Sequence, residues 1–253
     1  MYVNSLTSNR LLILRRNRIC YNQTEFTFPK LTKENENHTS KSSELTMSRG
    51  KFITFEGGEG VGKTTNVAFV CEYLQARKIP VVLTREPGGT KLAEKLRTLL
   101  LDKKSEAIAE EAELLLMFAA RAQHIKHVIE PALARGDWVI CDRFTDATYA
   151  YQGGGRNVKV SNIEWLENLV QGNLRPDLTI LLDAPVKIGM ERAGKRGAFD
   201  RFESETVQFF EDVRRAYLLQ AEINPQRIKL IKANQPLADV QQIIVNVLAP
   251  LLR

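Results

Sequence analysis

The sequence predicts an α/β protein: a five-stranded parallel sheet with helices on both faces and a small mobile lid. Three observations predict it. Short apolar runs alternate with helical periods across residues 51–252. The pieces VVL, WVI and TILL are continuously apolar, as strands covered on both faces are. A glycine-rich loop lies between the first run and the first helical period, the order of a phosphate-binding βα unit.

The elements follow in chain order. Strands are expected at 51–56 (KFITFE), 80–84 (PVVLT), 138–142 (WVICD), 178–183 (LTILLD) and 228–232 (IKLIK). Val67, Val70, Cys71 and Leu74 recur at helical spacing after the glycine-rich loop, and Leu92, Leu96, Leu99 and Leu100 do so after the second strand. Residues 106–135 read as one or two helices, ended or bent by Pro131. Helices are expected at 160–171, 204–222 and 236–252, and the segment after Asp142 reads as a loop. Strands joined through helices imply right-handed crossovers, and ligands of such sheets sit beyond the carboxyl ends of the strands.

The chain has 253 residues and a net charge of +6. Half of that excess falls in residues 1–46, a polar stretch without sustained period. We therefore expect a disordered extension at 1–47, with a transit peptide as the alternative, and one catalytic domain at 48–253. The domain is only mildly basic, which argues against a nucleic-acid partner. No apolar run approaches the ~20 residues that span a bilayer, so no membrane partner is expected. The three cysteines, Cys20, Cys71 and Cys141, fit neither a disulfide framework nor a zinc pattern. Cys71 and Cys141 are expected in the core of a protein kept reduced, in the cytoplasm. His124 and His127 lie three apart on one helix but lack a third ligand, so a partly exposed face is expected there.

The chemistry begins at "GGEGVGKT", residues 57–64. Gly57, Gly58, Glu59, Gly60, Val61, Gly62, Lys63 and Thr64 fit the spacing of a loop whose backbone N–H groups cradle nucleotide phosphates. This is the signature of the P-loop fold. Lys63 is expected on the β- and γ-phosphates of ATP, and Thr64 on Mg²⁺. Asp142, at the end of the third strand, is the candidate second support of that ion. Arg85, Arg121, Arg143, Arg192, Arg196 and Arg201 gather near the strand ends or in the segment "MERAGKRGAFDR". Planar guanidinium groups suit a transferring phosphoryl group, which needs positioning and positive charge more than covalent help. A cationic, glycine-bearing lid over about 185–203 would exclude water when substrate is present.

The segments "EGGEGVGKTT", "TREPGGT", "LLLMFAARAQ", "DRFTDATYAYQGGG" and "RPDLTILLD" resemble the bacterial thymidylate kinases, in that family's order and over about residues 50–252. The resemblance implies phosphorylation of dTMP to dTDP with ATP and Mg²⁺, a step toward dTTP, by a homodimer. It implies that Glu59 contacts the 3′-hydroxyl of dTMP, that Phe118 stacks on the thymine, and that Arg121 reaches base or phosphate. It implies Arg143 and Arg85 on the acceptor phosphate, and Thr148 and Tyr151 at the base edge and the ribose 2′ position, with Gln152 beside them. It implies lid arginines at the transition state, Arg196 first and Arg192 second; related lids often carry a further arginine where this sequence has Gly194. Two other readings remain open at this stage: a kinase for another nucleotide or nucleoside on the same fold, and a P-loop ATPase that works as a switch.

Overall fold

A computed structural model describes residues 49–103, 106–194 and 201–252. The expected extension at 1–47, with Cys20, and the lid residue Arg196 lie outside the described residues. The strands are β1 (Phe52–Glu56), β2 (Val81–Arg85), β3 (Trp138–Asp142), β4 (Leu178–Asp183) and β5 (Ile228–Lys232). They form one parallel sheet in the order β2-β3-β1-β4-β5. β1 sits at its centre because its five residues are all buried and serve both neighbours: Ile53 pairs with Ile140 on one side and Leu178 on the other.

The period of two along β1 separates two cores. Ile53 and Phe55 face α1 (Lys63–Gln75), which contributes Val67, Val70 and Leu74. The same core takes in Val240, Ile244 and Leu248 of the C-terminal helix, residues 237–248. Phe52 faces the opposite way, toward Ile125, Ile129, Leu133 and Phe144. That side holds α2 (Lys91–Leu101), α3 (Glu110–His124), and a π-helical turn Ile125–Ile129 running on into α4 (Glu130–Ala134). Pro131 lies in the first turn of α4, where its missing N–H costs least.

Two regions depart from expectation. After β3 the chain forms α5 (Thr145–Thr148) and a π-helical stretch Tyr149–Gly155, where the sequence suggests a loop. α6 (Val160–Gln171) follows as expected. The segment expected to open a lid forms a helix, α7 (Val186–Gly194), which crosses directly over the loop Gly57–Gly62. The crossing needs two glycines: a Cβ on Gly60 would collide with the Gly189 carbonyl, and one on Gly189 with the Glu59 carbonyl. α8 (Val207–Ile223), opened by a Thr206 cap on the Phe209 N–H, packs against the π-helical stretch, and α9 is the helix Leu237–Leu248 already placed against α1.

Candidate active site

The carboxyl ends of β1, β2 and β3 open onto one cavity of about 700 Å³, a size that suits small-molecule ligands. Residues Glu59 to Thr65 line it on one side, and Arg85, Arg121, Arg143, Thr148, Tyr151 and Gln152 on the other. Arg192 reaches it from α7.

The phosphate loop turns from β1 into α1 through Gly57, Gly60 and Gly62, all at positive φ. The side chain of Lys63 folds back along the loop, donating to the carbonyls of Gly57 (3.0 Å) and Gly58 (2.7 Å). Burial lowers its pKa from 10.5 to about 8, since a desolvated ammonium is disfavoured. Thr64 is exposed at the mouth of the loop. Asp142 carries a buried Oδ1 with no partner among the described residues.

Arg143 joins the loop to the opposite wall. It occupies the left-handed region at φ 69°, uncommon for a side chain with a Cβ. Its N–H donates to the Phe55 carbonyl at 2.9 Å, which fixes that backbone. The guanidinium donates to Gly57 O (2.9 Å), the Tyr217 hydroxyl (3.1 Å) and Glu59 Oε1 (2.6 Å). Tyr151 donates to the same Glu59 oxygen at 2.7 Å, and its ring lies 4.8 Å from the Arg143 guanidinium. Burial raises the Tyr151 hydroxyl well above the ordinary value of 10.0, so it remains a donor. Arg143 and Tyr151, singled out separately in the sequence, thus converge on one carboxylate oxygen of Glu59.

Arg121 is 3% exposed, and its charge is met by Glu86 at 2.7 Å. It also donates to Thr148 Oγ1 at 3.0 Å. Its Nη1 is buried and without a partner among the described residues, although Arg121 lines the cavity. Arg85 lines the rim and donates to Glu94 and to the Pro87 carbonyl. Arg97, which the sequence did not single out, donates to the same carbonyl at 3.1 Å and also faces the cavity.

Two expectations are corrected. Phe118 is 1% exposed and packs with Leu114, Val158, Ile163 and Leu166. It does not line the cavity, so no face of its ring is open to a base. Met117, half-buried, lines the cavity instead. Residues 117 and 121 are one helical turn apart and share a face, whereas 118 falls in the stripe that meets α6. His124 is fully buried: its Nδ1 lies 2.9 Å from Glu86 Oε1 and its Nε2 2.7 Å from Thr84 Oγ1, so no exposed face includes it.

The sequence also passed over three buried glutamates. Glu56 accepts from the Phe144 N–H (2.6 Å) and the Tyr217 hydroxyl (2.8 Å). Glu86 supports Arg121, and Glu113 accepts from Gln152. An acidic residue inside an apolar stretch such as "AELLLMF" was the available signal for Glu113.

A model of the thymidylate kinase family matches residues 55–244. The chain is 57% identical over 203 residues to a thymidylate kinase of Teredinibacter turnerae, covering 80% of this chain and 99% of the relative. It is 58% identical over 203 residues to one of Pseudomonas entomophila, covering 80% of this chain and 97% of the relative. Its fold is similar to the crystal structure of a thymidylate kinase from Ehrlichia chaffeensis: TM-score 0.64, 35% identity, covering 79% of this chain and 99% of that one.

Proposed function

The chain belongs to the thymidylate kinase family and phosphorylates dTMP to dTDP with ATP; from that premise we propose how its residues divide the work. ATP lies with its phosphates in the loop Gly57–Thr64, within reach of the α1 N-terminus. Lys63 leaves the Gly57 and Gly58 carbonyls for the β- and γ-phosphates. dTMP occupies the opposite wall, its phosphate held by Arg143 and Arg121, with Arg85 at the rim. Glu59, bonded by Tyr151 and Arg143, accepts from the sugar 3′-hydroxyl. Tyr151 crowds the 2′ position. Thr148 accepts from Arg121 and so retains its own proton to donate to the base edge, and Gln152 reads that edge from the next turn. Met117 supplies the apolar face for the ring.

An oxygen of the dTMP phosphate attacks the γ-phosphorus in line with the bond to the β-bridging oxygen. The new P–O bond forms as the old one breaks, and ADP leaves with the electron pair. Arg143 fixes the attacking oxygen, while Lys63 and Arg192, with Arg196 of the lid, meet the charge on the transferring group. Mg²⁺ is part of the proposal, because the Asp142 Oδ1, without a partner among the described residues, and the Thr64 hydroxyl suit a hard cation. Such an ion neutralises the β- and γ-phosphates when bound.

The observation that carries this reading is the shared oxygen of Glu59, which ties the phosphate loop to Arg143 and Tyr151. A coupled ADP-release assay with ATP and a panel of nucleoside monophosphates tests it. We expect turnover with dTMP well above the others; equal ADP release without any acceptor would mean an ATPase, and preference for another acceptor a different kinase.

A homodimer belongs to the same proposal. Leu115 of α3 and Trp165 and Leu169 of α6 are 56%, 64% and 65% exposed, more apolar surface than one helix pair commonly leaves in water. Light scattering at micromolar concentration tests it, and a persistent monomer refutes it. The buried thiols Cys71 and Cys141 suit a reducing compartment, and we place the enzyme in the cytoplasm. Among the described residues no helix is long and apolar enough to cross a membrane.

A further inference from the structure

Glu113 sits behind the cavity wall, not on it. It is 1% exposed, on the face of α3 turned toward the π-helical stretch and Arg201. Its Oε1 accepts from Gln152 Nε2 at 2.8 Å. Its Oε2 accepts from Arg201 Nη2 at 2.6 Å, and Arg156 Nε stands 3.5 Å from Oε1. Arg201 is itself held by the Leu100 carbonyl at 2.7 Å, and Arg156 by Glu205 at 2.6 Å.

A carboxylate paired with arginine only accepts hydrogen bonds. The amide of Gln152 must therefore turn its NH₂ toward Glu113, whichever way its two ends are assigned. The carbonyl oxygen of Gln152 is then left for the cavity that this residue lines. An acceptor at that point matches a base with a ring N–H, such as thymine or uracil. It opposes a base that offers a bare ring nitrogen there, such as cytosine.

We infer that Glu113 is a positioning residue that locks the Gln152 amide with its carbonyl toward the acceptor base, and so selects imide pyrimidines over cytosine. The inference rests on the reading of Gln152 as a base contact. It goes further in assigning the direction of that contact to a residue which touches no substrate.

The test is Glu113→Gln. Arg201 would hold the new amide by its oxygen, presenting NH₂ to Gln152. The Gln152 amide would then turn over, with its own NH₂ toward the base. Sites that match a hydrogen bond reject a mismatched analogue by up to ~10⁴-fold, so even partial inversion is readable. We expect the ratio of kcat/KM for dTMP over dCMP to fall by at least ~10-fold, with the KM for ATP unchanged. Gln152→Leu should lower the same ratio. If Gln152→Leu leaves the ratio intact, Gln152 does not read the base, and this inference falls with that reading. If Gln152→Leu lowers it but folded Glu113→Gln does not, the base reading stands and the role of Glu113 is overturned. Should Glu113→Gln fail to fold, hydrogen exchange in the wild-type protein decides. The Gln152 side-chain NH₂, assigned by its loss in Gln152→Leu, should be protected; exchange at the rate of an exposed glutamine overturns the inference.

Discussion

Replacing Tyr217 by phenylalanine removes one oxygen and keeps the ring. That oxygen is 2.8 Å from Glu56 Oε2, to which it donates, and 3.1 Å from Arg143 Nη1, from which it accepts. Glu56 is fully buried, and burial pushes its pKa from 4.5 to about 8. Nearby Asp146 adds to the rise; Arg143, the Phe144 N–H and the Tyr217 hydroxyl oppose it. The folded value lies above the unfolded one. Stability contributed by Glu56 is thus fully present below pH 4.5, falls as pH rises toward 8, and is flat beyond. At pH 6 the carboxyl is neutral, and losing the hydroxyl should cost about 1 kcal/mol, as for a neutral hydrogen bond. At pH 9 it is ionised, and the same loss should cost about 1.5–3 kcal/mol. For a domain of this size each kcal/mol shifts Tm by roughly 2–4 °C. Thermal unfolding at the two pH values should therefore show a Tm deficit about twice as large at pH 9. Arg143 keeps Gly57 O and Glu59, so the KM for dTMP should rise modestly, by ~3–10-fold, equivalent to about 1 kcal/mol, with the KM for ATP unchanged. Equal Tm deficits at both pH values would show that Glu56 does not titrate in this range. An unchanged dTMP KM would show that Tyr217 does not orient Arg143.

Lys63→Ala should fold with little change in Tm yet lose kinase activity; near-normal turnover would refute the phosphate-loop assignment. Because only the ammonium form attracts phosphate, calorimetry should show ATP affinity of the free enzyme falling as pH rises through about 8. Tyr151→Ala should relax the preference for dTMP over its ribose analogue by ~10–200-fold, read as a ratio of kcat/KM values. Glu59→Gln should weaken dTMP use much more than ATP binding; a defect confined to ATP would place the acceptor on the wrong side of the loop. A chain lacking residues 1–46 should keep turnover and Tm, and loss of either would move the domain boundary upstream.

All five strands were legible to within one residue at their ends: the covered inner strands β1, β3 and β4 leave short, mainly apolar runs, and the half-exposed edge strands β2 and β5 still leave short runs rich in β-branched residues. α6 was legible at both ends for a related reason: Ile163 and Leu166 repeat at helical spacing and both reach the core. The segment Thr145–Gly155 was not. Three successive glycines read as a loop, since glycine in a helix carries an entropic cost. Here they let a π-helical backbone lie against α8. A Cβ on Gly154 would come within 2.6 Å of Ala216 Cβ, and one on Gly155 within 2.7 Å of the Phe209 ring. Tertiary contact overrides local preference, and nothing in the local sequence announces the partner. Met117 and Phe118 show a different limit. Both are apolar and one residue apart, so the choice between cavity and core depends on helix phase, which Arg121 alone could have set.

The buried glutamates show why the rest of the site was hidden. Glu56, Glu86 and Glu113 are 0%, 5% and 1% exposed, and they come from β1, the β2–α2 turn and α3. Each stands behind a cavity-facing group: Glu86 one bond behind Arg121, Glu113 one bond behind Gln152, and Glu56 two bonds behind Arg143, through Tyr217. Burying a carboxylate is costly, and an apolar side chain of similar volume would often serve stability as well. The arrangement makes sense if orientation is what these residues supply. An arginine held at its Nε by Glu86 and at its Nη2 by Thr148 has its plane fixed where it lines the cavity. Such pairing needs residues 35 or more positions apart to meet, for Glu86 with Arg121 as for Glu113 with Gln152. Spacing rules for motifs act within a few turns of chain, so they find the groups that touch phosphate and miss the groups that aim them.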